Sequence, residues 1–223
     1  MNILPLQFHQ GHLFVELGSR ELWLLDTGAP TSFGASPCVA IAGESFNLYS
    51  SAFGLTPKSL SQFVGQPCAG LLGADILNRF DYIFDIQGGR VSVASQQLQH
   101  PGTTVDLEQF MGIPIVTARI GSSGYRMFLD TGAQLSYWQD ESLAAYPSAG
   151  RFTDFHPSLG QFETETHLVP VTLGNREFTL RCGTLPDALR TFLMTANTQG
   201  IIGNAVFADQ PVGYFPRRRM LVF

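Results

Sequence analysis

Apolar and polar positions in this chain fall into short runs bounded by glycine, proline and small polar residues. That pattern predicts strands rather than long helices. Leu13-Phe14-Val15-Glu16-Leu17, the turn Gly18-Ser19, and Leu22-Trp23-Leu24-Leu25 predict a β-hairpin. The pattern returns later as Ile115-Val116-Thr117-Ala118-Arg119-Ile120, then Gly121-Ser122-Ser123-Gly124 and Met127-Phe128-Leu129. Each hairpin runs into the same tetrapeptide, Asp26-Thr27-Gly28-Ala29 and Asp130-Thr131-Gly132-Ala133, and each copy is followed by a serine, Ser32 and Ser136.

The repetition continues. A helix-like stretch with an early proline follows in both halves, Thr56-Pro57-Lys58-Ser59-Leu60-Ser61-Gln62-Phe63 and Leu185-Pro186-Asp187-Ala188-Leu189-Arg190-Thr191-Phe192-Leu193. Thr56 is placed to cap, and Pro57 suits the first helical position, where its missing N–H costs nothing. Next come Gly70-Leu71-Leu72-Gly73 and Gly200-Ile201-Ile202-Gly203. Each half closes on strands, Tyr82 to Ile86 with Arg90 to Val93, and Gly213 to Phe215 with Met220 to Phe223. The polar stretch from Gln96 to Thr104, with Pro101-Gly102, reads as a linker. Taken singly, an Asp-Thr-Gly is a turn and a Leu-Leu-Gly is a strand end. Both pieces in one order, twice, predict a duplicated unit: residues 1–97 and 103–223 as two mainly β lobes.

At these residues the chain resembles the aspartic peptidases of the retropepsin-like and pepsin-like clan, and the resemblance covers nearly all of it. It implies two pseudo-symmetric β-barrel lobes with the active site between them. It implies Asp26 and Asp130 as the catalytic pair, and Thr27 and Thr131 bonding across the lobe interface. Gly28 and Gly132 would turn the chain tightly and let substrate backbone approach. Ser32 and Ser136 would hydrogen-bond the outer carboxylate oxygens, and Leu72-Gly73 and Ile202-Gly203 would pack beneath the loops. Two carboxylates this close share one proton and titrate as a pair. One then activates a water while the other hydrogen-bonds the scissile carbonyl, with no metal or organic cofactor needed. The expected function is an aspartic endopeptidase acting on a peptide or protein. Two other readings stay open: a narrow-specificity processing peptidase with one cognate protein substrate, and a catalytically silent peptide-binding protein of the same fold. The presence of both aspartates and both Thr-Gly neighbours weighs against the silent reading.

The halves differ in one respect. The second carries extra residues between Trp138 and His167, in which Phe152 to Thr166 alternates with period two about a Pro/Gly turn. This predicts an exposed hairpin over residues 152–166, read as a flap that the first lobe lacks, with its tip near His156 to Gly160. Pepsin-like enzymes carry their flap on the first lobe, so the arrangement would be reversed. Phe155 and Phe162 would line the cleft, and His156 and Gly160 would lie at the tip. An ordinary surface hairpin is the alternative.

Composition narrows the partners. The 223 residues are 14% charged with 23 Gly and 13 Pro, and the net charge of -5 weighs against nucleic acid or an anionic membrane. Arg217-Arg218-Arg219 reads as a solvated hairpin turn rather than a binding patch. No apolar run is long enough to span a bilayer, and Met1 to Leu6 has no basic start or long apolar core. Cys38, Cys68 and Cys182 leave at least one thiol unpaired, which predicts a reducing cytoplasm. A periplasmic or secreted location would require a leader already removed. The five histidines and three cysteines show no metal-ligand spacing. A monomer is expected, because both aspartates lie in one chain.

Overall fold

Strands His12–Leu17 and Glu21–Leu25 pair antiparallel, with Phe14 opposite Leu24 and Val15 opposite Trp23. Their side chains are buried on both faces: Leu13, Val15, Trp23 and Leu25 join the main core, and Phe14 and Leu24 join a second cluster. Burial on both sides explains why alternation here gives way to a continuous apolar run. The hairpin Ile113–Ile120 with Ser123–Leu129 repeats the arrangement in the second half. The computed structural model describes residues 1–156 and 159–223.

Each aspartate loop is underpinned by a crossing strand. Gly70–Leu72 runs parallel to Glu21–Leu25, with Leu72 beside Leu25, and Gly200–Ile202 runs parallel to Ser123–Leu129, with Ile202 beside Leu129. Asp26 N donates to the Leu72 carbonyl (3.0 Å) and Asp130 N to the Ile202 carbonyl (2.9 Å). Helix α1 (Pro57–Phe63) forms as predicted, α2 (Ala74–Leu77) is an unpredicted short helix just past the first crossing strand, and α3 (Asp187–Thr195), which Pro186 precedes, forms as predicted. Thr56 caps α1: its Oγ1 accepts from Ser59 N (3.2 Å) while Ser59 Oγ accepts from Thr56 N (2.9 Å), a capping box.

Eight strands of the second half form one sheet, and an added pairing of Ile113–Ile120 with Gly160–Leu173 closes it on itself as a barrel. The first lobe has no such closing pairing among the described residues. Its counterpart hairpin, Cys38–Ile41 with Glu44–Asn47, has four-residue strands and stands as a separate two-stranded sheet. The other large sheet has ten strands and is shared. Thr104–Asp106, Val212–Phe215 and Met220–Val222, all from the second half, continue the first-half sheet through Asp81–Asp85. Tyr82 lies opposite Tyr214 at this join, where equivalent strands of the two halves meet. Each half thus covers the strand edge that the other would leave unpaired.

Two of the three arginines, Arg217 and Arg218, do not belong to a solvated turn. Pro216–Arg218 forms a 3-10 turn from which Arg217 Nη2 and Arg218 Nη2 reach Asp81 Oδ1 (2.9 Å) and Oδ2 (2.7 Å). The Asp81 side chain is wholly buried. The same guanidinium groups donate to the carbonyls of Gln96 (3.1 Å) and Leu98 (2.5 Å), fixing the linker over the shared sheet. A buried carboxylate needs such partners, and only the tertiary contact supplies it. Arg219 alone stays free of these bonds and takes a left-handed backbone (φ 54).

Candidate active site

The two Asp-Thr-Gly loops meet through a reciprocal lattice. Thr27 N donates to Thr131 Oγ1 and Thr131 N to Thr27 Oγ1, both at 3.0 Å. Each hydroxyl then donates across the interface, Thr27 Oγ1 to the Leu129 carbonyl (2.7 Å) and Thr131 Oγ1 to the Leu25 carbonyl (2.8 Å). Both threonines are buried, so a residue lacking either function would leave groups unpaired. Outside this lattice, Asn204 Nδ2 reaches the Gly11 carbonyl (2.7 Å) and Asn78 Nδ2 the Gly112 carbonyl (2.7 Å). Each half therefore grips the opening turn of the other.

The lattice brings Asp26 and Asp130 side by side, each half-buried and hydrogen-bonded to the other. Ala29 N donates to Asp26 Oδ1 (2.9 Å) and Gly132 N to Asp130 Oδ1 (2.8 Å). Burial drives the Asp26 carboxyl well above the usual carboxylate range, and the Asp130 charge and the shared hydrogen bond add to that. Burial also raises Asp130, against the lowering effect of the Asp26 hydrogen bond and of the N–H groups of Gly132, Ala133 and Gly28. The pair therefore keeps a proton into a pH range where an exposed aspartate has lost it.

Ser32 and Ser136 hold the loops, but not through the outer carboxylate oxygens. Ser32 Oγ accepts from Gly73 N (2.8 Å) and donates to Asp75 Oδ1 (2.5 Å); Ser136 Oγ accepts from Gly203 N (3.1 Å). Each serine satisfies the buried N–H that ends a crossing strand, a demand that outweighs a bond to a carboxylate already served by backbone donors. Asp75 has no partner in the duplicated pattern, since Ala205 holds the equivalent place.

The extra residues of the second half form a hairpin longer than expected, Ser148–His156 with Gly160–Leu173. His156 and Gly160 make its last described pair; Pro157 and Ser158 of the predicted tip lie outside the described residues. The two phenylalanines part company. Phe162 stays on its own lobe beside Tyr137 (ring centroids 6.2 Å), whereas Phe155 crosses to the first lobe. There it stacks on Phe63 at the end of α1, with centroids 3.4 Å apart and planes at 17°, and packs on a cluster that includes Ala29 of the Asp26 loop. Beside Phe155, Asp154 Oδ2 accepts a hydrogen bond from the Tyr137 hydroxyl. Burial, the Asp154 and Asp130 charges and this hydrogen bond all push the Tyr137 phenol upward. From the first lobe, His12 Nε2 meets Gln134 Nε2 of the Asp130 loop (2.6 Å), and burial lowers the pKa of the imidazole. Asp75, Tyr137, Asp154 and His12 carried no sequence signal, because none repeats with the tetrapeptides, and Phe63 recurs only as a helix residue, Phe192. Among the described residues, no group of three or more His, Cys, Asp or Glu side chains is placed to hold a metal.

No protein-family model matches this sequence, and no curated protein does. By shape the chain is similar to the crystal structure of basic 7S globulin from soybean, with a TM-score of 0.53. The match spans 98% of this chain and 93% of that one, at 11% identity. The fold is the two-lobed, pepsin-like one. At that identity the likeness carries architecture alone. The neighbour bears the name of a globulin, so any claim of catalysis has to stand on the site.

Proposed function

We propose that this chain is an aspartic endopeptidase, acting as a monomer on peptide or protein substrates, with Asp26 and Asp130 as its acid–base pair. The observation that carries the reading is the reciprocal threonine lattice holding two mutually hydrogen-bonded, desolvated carboxyls at the lobe interface. One carboxylate takes a proton from a water lying between the pair and the scissile carbonyl. The protonated partner donates to the carbonyl oxygen as it gains charge, and a tetrahedral gem-diol forms. Collapse of that intermediate breaks the C–N bond, with a carboxyl proton passing to the leaving nitrogen. The fixed N–H groups at Ala29 and Gly132 keep both carboxyls oriented throughout. The hairpin Ser148–Leu173 serves as a flap on the second lobe, with Phe155 facing the first.

A second reading is favoured by one observation. Phe155 already lies against the first-lobe cluster beside Asp26, which suits a silent peptide-binding protein or a processing enzyme restricted to one substrate. The deciding experiment is cleavage of a mixed peptide library between about pH 3 and 7, the range over which a coupled carboxyl pair titrates. Asp26→Asn and Asp130→Asn are run beside the wild type. Cleavage lost in both variants supports the peptidase. A folded wild type that cuts nothing but binds a statine-type peptide supports the binder, and cleavage of one protein alone supports the processing enzyme.

A further inference from the structure

The hairpin Ser148–Leu173 is held at two consecutive residues by two different lobes. Asp154 is gripped by Tyr137, which stands in the strand that continues the Asp130 loop. Phe155 leaves its own lobe for Phe63. Successive strand side chains point to opposite faces, so one strand can make both contacts at once. Its base is stiff by comparison. Arg181 donates to Thr166 Oγ1 (2.9 Å) and to the carbonyls of Ala149 (3.0 Å) and Arg151 (3.1 Å), across a bulge at Gly150 (φ 77).

Pseudo-symmetry shows what Phe155 replaces. Pro57-Lys58-Ser59-Leu60-Ser61-Gln62-Phe63 corresponds to Pro186-Asp187-Ala188-Leu189-Arg190-Thr191-Phe192, so Phe63 and Phe192 are equivalent. Phe192 stacks on Phe128 of its own lobe (5.3 Å, 17°), with Phe110 at its edge (6.1 Å, 70°). Phe128 stands two residues before Asp130, but the residue two before Asp26 is Leu24. At that position the first lobe therefore offers Phe63 a leucine and not a ring, although Phe14 and Phe33 lie in the same cluster. Phe155 supplies the ring from across the cleft.

We propose that Phe63 and Phe155 form a latch and Tyr137 and Asp154 a pivot. In the free protein the flap is closed onto the first lobe, and a peptide reaches the dyad by displacing Phe155 from Phe63 while the Tyr137–Asp154 bond persists. Phe63 is thus a positioning residue that touches neither aspartate. An aromatic stack shifts such an equilibrium by about two- to tenfold, and apparent affinity falls with the fraction of molecules open. The activity arm of the test rests on the peptidase reading; the exchange arm does not.

Phe63→Ala is the informative variant, because the side chain is 42% exposed and alanine suits a helix. Hydrogen exchange of the free protein should quicken in residues 148–156 and 160–173 and stay unchanged in the shared sheet. KM for a cleaved peptide, and the dissociation constant of a statine-type peptide, should fall about two- to tenfold at unchanged kcat. Phe63→Tyr should restore wild-type values. Tyr137→Phe should act in the opposite sense and raise KM, because the pivot is lost. Unchanged flap exchange in Phe63→Ala, or a raised KM, overturns the latch; an unchanged KM in Tyr137→Phe overturns the pivot. Faster flap exchange with neither cleavage nor statine binding in any variant upholds the latch and defeats the peptidase reading. Cleavage by the wild type with unaltered exchange in Phe63→Ala does the reverse.

Discussion

The Cβ that Gly132 lacks would sit 2.6 Å from Cγ of Asp26, and one on Gly28 would meet Asp130 closer still. Each glycine is the floor on which the other lobe's aspartate rests. Glycine at these positions is therefore a requirement of the dyad's spacing. Gly28→Ala and Gly132→Ala are expected to push the carboxyls apart and lower kcat/KM by at least about 100-fold, the scale of an ångström-sized misplacement. Steady-state cleavage, with circular dichroism to confirm folding, checks this.

The threonine lattice predicts a stability effect separable from chemistry. Thr27→Val leaves the buried Leu129 carbonyl and Thr131 N–H without partners, at about 1–3 kcal/mol each. Thr27→Ser keeps both bonds and should cost far less. Urea unfolding of the two variants measures the difference.

The raised carboxyls of the dyad fix a sign for pH. Their folded-state pKa values lie above the unfolded ones, so the stability they contribute is complete below the unfolded aspartate range and is lost as pH rises through the folded values. Asp26→Asn has no proton to lose. It should melt close to the wild type near pH 3.5 and above it at pH 7, with the gap opening as pH rises. Thermal melts at the two pH values test this, and a gap that closes on going to pH 7 would contradict it.

Asp81 ties the carboxyl end of the chain to the first lobe. Asp81→Ala strands Arg217 and Arg218 and should destabilise by about 3–5 kcal/mol, as loss of a buried ion partner does. Arg217→Ala should cost less, because its side chain is part-exposed and Arg218 remains on the carboxylate. Urea midpoints of the two variants rank them.

Local sequence determined a great deal of this protein. The hairpins, the Thr56 cap, the proline-led helices and the crossing strands are set by neighbours in the chain, and duplication made each visible twice. The same duplication pointed to Asp26 and Asp130, and to the threonines and glycines beside them. What it could not show is whatever occurs once. Asp75 drawing Ser32, Arg217 and Arg218 converging on Asp81, and three second-half strands joining the first-half sheet all depend on residues far apart in the chain. The hairpin could be anticipated from its alternation, but its landing on Phe63 could not. Periodicity tells which face of a strand is apolar; only the packed arrangement of the lobes decides which surface that face meets.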